Sequence, residues 1–386
     1  MDSVLIQRKL ADHIREVARY YPVISVAGPR QAGKSTMLKQ VFSDYQYISL
    51  EEPDMYQFAT TDARGFFEKY DEGIIIDEAQ KVPELFSYLQ GIVDNKRTPG
   101  RFVLSGSQNY LMHRNITQSL AGRIDLSTLL PFDFSEMNWM DSWNESAEKV
   151  MLNGFYPGKL TGGIPGKIFY SNYIKTYIER DVTDLINVGN LTVFRTFLKL
   201  IAYKCGTQIK LTDMSNDLNI SVNTVKTWIS ILESSYIVFM LPSYHKNYGK
   251  RLLKSPKLYF FDTGLLCYLL GVNDEQKLQK SDNYGMIFEN MIIAEKTKYN
   301  YHRQIDRDMF FFRDSNGMEV DLFEPDDFGV KMTEIKSGKT FKPEFLTNMK
   351  KLKSVDDALR MNIIYDGEKS VALTTYNVTN WRSMHT

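Results

Sequence analysis

The sequence predicts an α/β fold, with a parallel sheet covered by helices, then a smaller helical unit and a second α/β unit. Three observations predict it. A glycine loop lies between an apolar strand and a helix. A second apolar run ends in paired acids. Strand-like and helix-like stretches alternate over residues 1–155, the pattern of a parallel sheet with both faces covered.

In order, residues 4–20 are expected to be helical, with Val4, Leu5, Leu10, Ile14 and Val17 at mixed helical spacings. Pro22–Ala27 is a β-branched run of the kind that forms a buried parallel strand. Next comes Gly28-Pro29-Arg30-Gln31-Ala32-Gly33-Lys34-Ser35-Thr36, which matches the phosphate-loop pattern G-x-x-x-x-G-K-[ST]. Glycines let the backbone curl so that successive N–H groups face phosphate oxygens. Lys34 brings positive charge to the outer phosphates, and Ser35 offers a hydroxyl to Mg²⁺. The helix expected through Met37–Phe42 adds its positive dipole end. These residues predict ATP and Mg²⁺ as ligands.

A second strand is expected near Tyr45–Leu50. The run from Gly73 ends in Asp77 and Glu78 and is expected to lie beside the first strand. Asp77 would then reach the Mg²⁺ shell and Glu78 would polarise the attacking water. A third run, Arg101–Asn109, ends in small polar residues. Ser107, Gln108 and Asn109 are all candidates to sense the γ-phosphate, and the sequence does not choose among them.

From Gly154 to Gly166 glycines and prolines crowd a loop region, and a helix follows over Tyr170–Val182. Residues 156–190 read as a connecting helical segment. Residues 191–260 read as a helix-turn-helix with a wing: helices over Phe194–Tyr203 and Leu211–Leu218, a turn at Asn219–Ser221 with Ser221 as N-cap, and a third helix. That helix shows Asn223, Lys226, Thr227 and Ser230 on one face, where a recognition helix would meet a groove. The strand Tyr236–Leu241 begins the wing, and the basic stretch His245–Lys257 is expected to neutralise phosphates.

Residues 261–386 hold the second chemical signal. A helix is expected over Gly285–Glu295, then strands at Met309–Phe312, Met318–Leu322 and Lys331–Lys336. Alternation puts Glu334 and Lys336 on one face while Ile335 enters the core. Asp321 can meet them, Glu289 can approach from its helix, and the three carboxylates can hold a divalent cation. Lys336 would orient a water or stabilise a phosphoryl centre.

Composition bounds the rest. The chain has 386 residues, enough for two or three domains. The 47 basic and 47 acidic residues cancel, so the balance does not advertise nucleic-acid binding, while a local basic groove stays open. Cys205 and Cys267 stand far apart and form no metal or redox motif. No apolar run is long enough to span a bilayer. A cytoplasmic protein with no membrane partner is expected.

Taken together, the chain resembles a prokaryotic family of AAA+ ATPases that carry a winged helix and a C-terminal domain of unknown function related to restriction endonucleases. The resemblance rests on Gly28–Thr36, Ile74–Gln80, Leu104–Gln108, Leu120–Arg123, Tyr177–Val182, Phe288-Glu289, Glu319–Asp321 and Glu334–Lys336. The D…E-x-K set is that of the PD-(D/E)xK nuclease fold, although Asp321 lacks the preceding proline that names the motif. The resemblance implies ATP hydrolysis, homo-oligomerisation and action on DNA. It also implies an arginine lent to a neighbour's phosphoryl group, with Arg123 the first candidate and Arg114 and Arg180 behind it. The competing expectation is a nucleotide-switched signalling or scaffold ATPase whose C-terminal domain is an inactive interaction or dimerisation platform.

Overall fold

The computed structural model describes residues 6–70, 72–107, 119–138, 140–179, 191–244 and 255–385. Gln108, Asn109, Arg114, Arg180 and most of the basic stretch, residues 245–254, lie outside these.

Among the described residues the first sheet has strands β1 (Val23–Ala27), β2 (Gln46–Ser49), β3 (Ile74–Asp77), β4 (Phe102–Gly106) and β5 (Ile124–Thr128), all parallel, in the order β2-β3-β4-β1-β5. β1 and β4 are buried along their whole length, which is why they read as continuous apolar runs. This order corrects one expectation. The Asp77 strand does not lie beside β1, because β4 is inserted between them. β5, edged with Asp125 and the exposed Leu126, carried no clear strand signal.

The middle of the chain packs helices Leu191–Tyr203, Leu211–Leu218 and Val222–Ser234 against an antiparallel pair, β6 (Val238–Leu241) and β7 (Lys257–Phe260). Asn219 takes the left-handed conformation that closes the second helix. Ser221 caps the third by accepting from the Thr224 amide. The side chains of Asn223, Lys226, Thr227 and Ser230 are exposed. Lys257 is not: it is buried, so this part of the basic stretch faces inward rather than toward phosphates.

The C-terminal sheet has the order β12-β13-β11-β10-β9-β8. β8 (Phe310–Arg313), β9 (Glu319–Asp326) and β10 (Gly329–Lys336) form an antiparallel meander. β11 (Leu359–Tyr365) returns parallel to β10 after helix Thr347–Lys353. β12 (Val371–Ala372) and β13 (Tyr376–Asn380) complete it.

One apolar core runs from Phe132 through the middle helices to Trp381 and Met384. Helix Tyr284–His302 is buried along most of its length, because it packs against β5, β7 and β10. Its last turns press polar side chains onto the segment after β5. Lys298 donates to the Phe132 carbonyl at 2.7 Å, Glu295 accepts from the Phe134 amide at 3.0 Å, and His302 lies 3.0 Å from Asp133. Among the described residues no helix is long and apolar enough to cross a membrane.

Candidate active site

The loop after β1 is shaped by two glycines. At Gly28 (φ 152°) a Cβ would lie 2.0 Å from the Leu129 carbonyl oxygen, so no side chain fits. Gly33 (φ 88°) takes the left-handed turn that starts helix Lys34–Val41. Lys34, nearly buried, folds back over the loop and donates to the Gly28 and Pro29 carbonyls at 2.8 and 2.9 Å. Arg8 braces the loop from outside, donating to the Ala32 carbonyl at 2.5 Å, the Leu130 carbonyl at 2.7 Å and Glu136 at 3.0 Å.

Asp77 reaches this loop although its strand is one place removed from β1. Its carboxylate accepts from Ser35 at 2.9 Å, from Tyr47 at 2.5 Å and from Ser105 at 2.5 Å. Burial pushes this carboxyl up, but those three hydroxyls and the Lys34 charge outweigh it and hold the group below the ordinary carboxylate range. The Tyr47 hydroxyl is pushed up by its own burial and by Asp77. Ser35 Oγ and the Asp77 carboxylate are hard oxygen donors of the type Mg²⁺ takes, and they are adjacent.

Glu78 is the next residue and sits in the left-handed region (φ 54°), which turns its side chain off the strand toward the loop. Its carboxylate accepts from Gln80, and from the Ser107 hydroxyl at 3.0 Å and amide at 3.4 Å. Arg30 of the phosphate loop lies 3.9 Å from its other oxygen. Thus the structure gathers Gly28–Thr36, Asp77, Glu78 and Ser107 in one place.

Arg123 is elsewhere. It precedes β5, and its carbonyl accepts from the amide of Val23, the first residue of β1, whereas the loop follows the last. Five residues of strand separate the two ends, about 16 Å at roughly 3.3 Å per residue. The guanidinium is held by Asp94, at 2.6 Å from Nε and 3.1 Å from Nη2.

Sequence reasoning gave no role to Tyr47 and Arg8, and named Gln80 and Ser105 only within the stretches of the resemblance. Tyr47 and Ser105 carried no local signal, because only the strand order sets them on strands flanking β3 near the level of Asp77. Arg8 carried none, since its three acceptors come from distant parts of the chain.

The C-terminal set also meets. Lys336 lies 2.6 Å from Glu334 and 3.9 Å from Asp321, and Asp321 accepts from the Ile335 amide at 2.7 Å. Glu289 is taken by Tyr259 at 2.6 Å and Lys257 at 3.3 Å, and Lys257 also pairs with Glu319 at 2.5 Å. Burial, then the Asp321 charge, pushes Glu289 up to about 7 and Glu334 up to about 8. As arranged, these carboxylates are satisfied by two lysines and a tyrosine rather than open to a cation. Among the described residues, the carboxylates and imidazole whose ligand atoms converge within 4.8 Å are Asp133, Glu136 and His302. They too are satisfied, by Arg8, Arg303 and the Leu130 amide.

Comparison with known proteins agrees on the first domain. Residues 20–138 match the model of an AAA domain, and residues 144–276 and 284–384 match two domains of unknown function. The chain is similar to an uncharacterized protein of Mycobacterium tuberculosis, Rv2008c, 27% identical over 97% of this chain and 83% of that one. It is also similar to an uncharacterized protein of Methanocaldococcus jannaschii, MJ1544, 22% identical over 77% of this chain and 70% of that one. Among solved structures, the Walker-type ATPase PABY2304 of Pyrococcus abyssi matches 68% of this chain and 94% of its own, with 17% identity and a TM-score of 0.45. The stretch that matches the AAA domain, residues 20–138, holds the Gly28–Thr36 loop, Asp77, Glu78 and Ser107.

Proposed function

We propose that the protein hydrolyses ATP with Mg²⁺ at the Gly28–Thr36 loop and uses the cycle to drive a DNA-directed C-terminal half. The observation that carries the first part is the Ser35–Asp77 hydrogen bond at the mouth of a loop that Lys34 spans. When ATP binds, Lys34 exchanges the Gly28 and Pro29 carbonyls for the outer phosphates, and loop amides take the remaining oxygens. Ser35 and Asp77 would hold Mg²⁺, which would supply neutralisation of the phosphate charge. Glu78 orients a water. The water oxygen bonds to the γ-phosphorus, its proton passes to the Glu78 carboxylate, and the bond from phosphorus to the bridging oxygen breaks with its electrons kept by ADP. Ser107 would register loss of the γ-phosphate, a reading supported by its bond to Glu78. Arg123, held by Asp94 at the other end of β1, takes no part in this step.

Two features support the DNA-directed reading. The exposed polar face of helix Val222–Ser234 follows a short helix and tight turn. The C-terminal unit runs helix, three antiparallel strands, helix, parallel strand, with Asp321, Glu334 and Lys336 together. One observation favours the second reading, an inactive platform: Lys257, a lysine from outside the set, pairs with Glu289, a carboxylate that a nuclease metal would need.

Turnover tests the first part. Glu78→Gln is expected to bind ATP and to hydrolyse it about 100-fold or more slowly, and normal turnover would remove Glu78 from the base role. Retention on linear duplex DNA at low salt tests the second. Binding that weakens steeply with salt supports the DNA reading. No binding at low salt, with ATP turnover intact, moves the assignment to the platform.

A further inference from the structure

The third residue of the phosphate loop is an arginine, and its surroundings give it a role beyond filling a variable position. The Arg30 guanidinium, mostly buried, lies 3.4 Å from Glu51 and 3.9 Å from Glu78. Glu78 is the residue read above as the base, so Arg30 stands beside the place where water must attack. The backbone under it is fixed from both sides. Tyr173 donates to the Arg30 carbonyl at 3.3 Å, and Gln31, in the left-handed region (φ 61°), donates to Tyr177 at 3.1 Å. Gly158 lets this neighbour approach, since a Cβ there would meet the Gln31 side-chain oxygen at 2.5 Å. Tyr177 also places its ring 5.4 Å from the guanidinium. Both tyrosines come from the helical run Gly166–Tyr173 and the π-helical turn Ile174–Ile178, a rare geometry that gathers at functional sites.

We infer that Arg30 is the arginine that contacts the γ-phosphoryl group, and that it does so within the same chain. Among the described residues, its positive charge is shared with the Glu51 and Glu78 carboxylates. A γ-phosphate in the loop offers a denser negative charge to the same guanidinium, with planar geometry suited to phosphate oxygens. Transfer of Arg30 from Glu78 to that phosphate does two things. It places charge where the phosphoryl group transfers, and it leaves one Glu78 oxygen facing the water while Gln80 and Ser107 keep the other in place. No bond to Arg30 forms or breaks. The position of Arg123 agrees, because within one copy it is at the far end of the sheet and paired with Asp94.

The inference rests on the nucleotide reading above, and its test separates the two. Affinities for ADP and for the slowly hydrolysed analogue ATPγS are measured with Mg²⁺ for the wild type, Arg30→Ala, Arg30→Lys and Arg123→Ala, beside ATP turnover. Arg30→Ala is expected to leave ADP affinity within about threefold, to cut the ATPγS-over-ADP preference by about tenfold, and to slow turnover by about 100-fold or more. Arg30→Lys should recover part of the preference and little of the rate, because an ammonium keeps the charge without the fork. Arg123→Ala should leave the preference unchanged and turnover within about threefold. Overturning results are an unchanged preference in Arg30→Ala, or equal loss of ADP and ATPγS, which would make Arg30 a part of the loop's shape only. If the wild type binds nucleotide without turning it over, the hydrolysis reading fails, while the ATPγS preference still decides Arg30.

Discussion

Asp77 shows how much a single side chain can gather. One carboxylate takes hydroxyls from three elements, Ser35 in the first turn of helix Lys34–Val41, Tyr47 on β2 and Ser105 on β4. Those bonds keep it charged despite burial, the state in which it can serve a divalent cation. Arg8 does the same work for the loop's outer wall. Its guanidinium is buried, and it joins the phosphate loop at Ala32 to Glu136. Arg8→Ala would leave the buried Glu136 carboxylate without its guanidinium. Breaking such a pair costs about 3–5 kcal/mol, so urea unfolding should shift by that order. A shift below about 1 kcal/mol would mean that His302 and the Lys9 and Asp133 amides suffice for Glu136.

At the scale of elements, what was legible followed from local chemistry. The strand–loop–helix unit was readable because glycines, a lysine and a hydroxyl must fall at fixed offsets for the loop to hold phosphate. Leu211–Leu218 matched to the residue because its turn uses Asn219 in the left-handed region and Ser221 as a cap. Strand order was not legible, since parallel strands joined by long crossovers leave no local mark of their neighbours. The placement of β4 between β1 and β3 is therefore something only tertiary packing decides. Likewise the D…E-x-K spacing showed that Glu334 and Lys336 share a face, but nothing local revealed that Lys257, on β7, would arrive to neutralise Glu289 and Glu319.

That cluster has a pH signature. Glu334 and Glu289 are raised by burial and then by Asp321, to about 8 and about 7. A raised carboxyl binds its proton more tightly in the folded state. Its contribution is complete below the unfolded value, near 4.5, and is lost as pH rises through the folded value. Stability from these groups should therefore decline between about pH 4.5 and 8. Asp321→Asn removes the like charge that raises both, so the decline in melting temperature across that window should flatten. An identical slope in the variant would show that Asp321 does not set these protonation states.

For the whole molecule, one apolar core crosses from the end of the first unit into the last. It joins Phe132 and Phe134, which follow the first sheet, to Trp381 and Met384 near the end of the described chain. Phe134 and Trp143 both stack edge-on or tilted against aromatic neighbours that include Trp381, at 5.3 Å between ring centroids in each case. Helix Tyr284–His302 supplies buried Glu295, Lys298 and His302 to the segment after β5. A chain ending at Asn283 would expose this core and strand the buried Asp133 and Glu136 without His302. It is expected to bind a hydrophobic dye and to lose its cooperative melting transition. A transition like that of the full chain would show that the nucleotide-binding half folds alone.

Everything proposed about function depends on ATP occupying the loop after β1. The most direct measurement is a calorimetric titration of Mg²⁺-ATP into the wild type and into Lys34→Ala, with the fold of both checked by circular dichroism. Lys34 spans the loop and makes two hydrogen bonds there that phosphate oxygens would replace. Its charge-assisted bonds are worth about 1.5–3 kcal/mol, so the variant should bind about 10- to 100-fold more weakly. Equal affinity in the two proteins would contradict the account, because ATP would then be bound somewhere other than Gly28–Thr36.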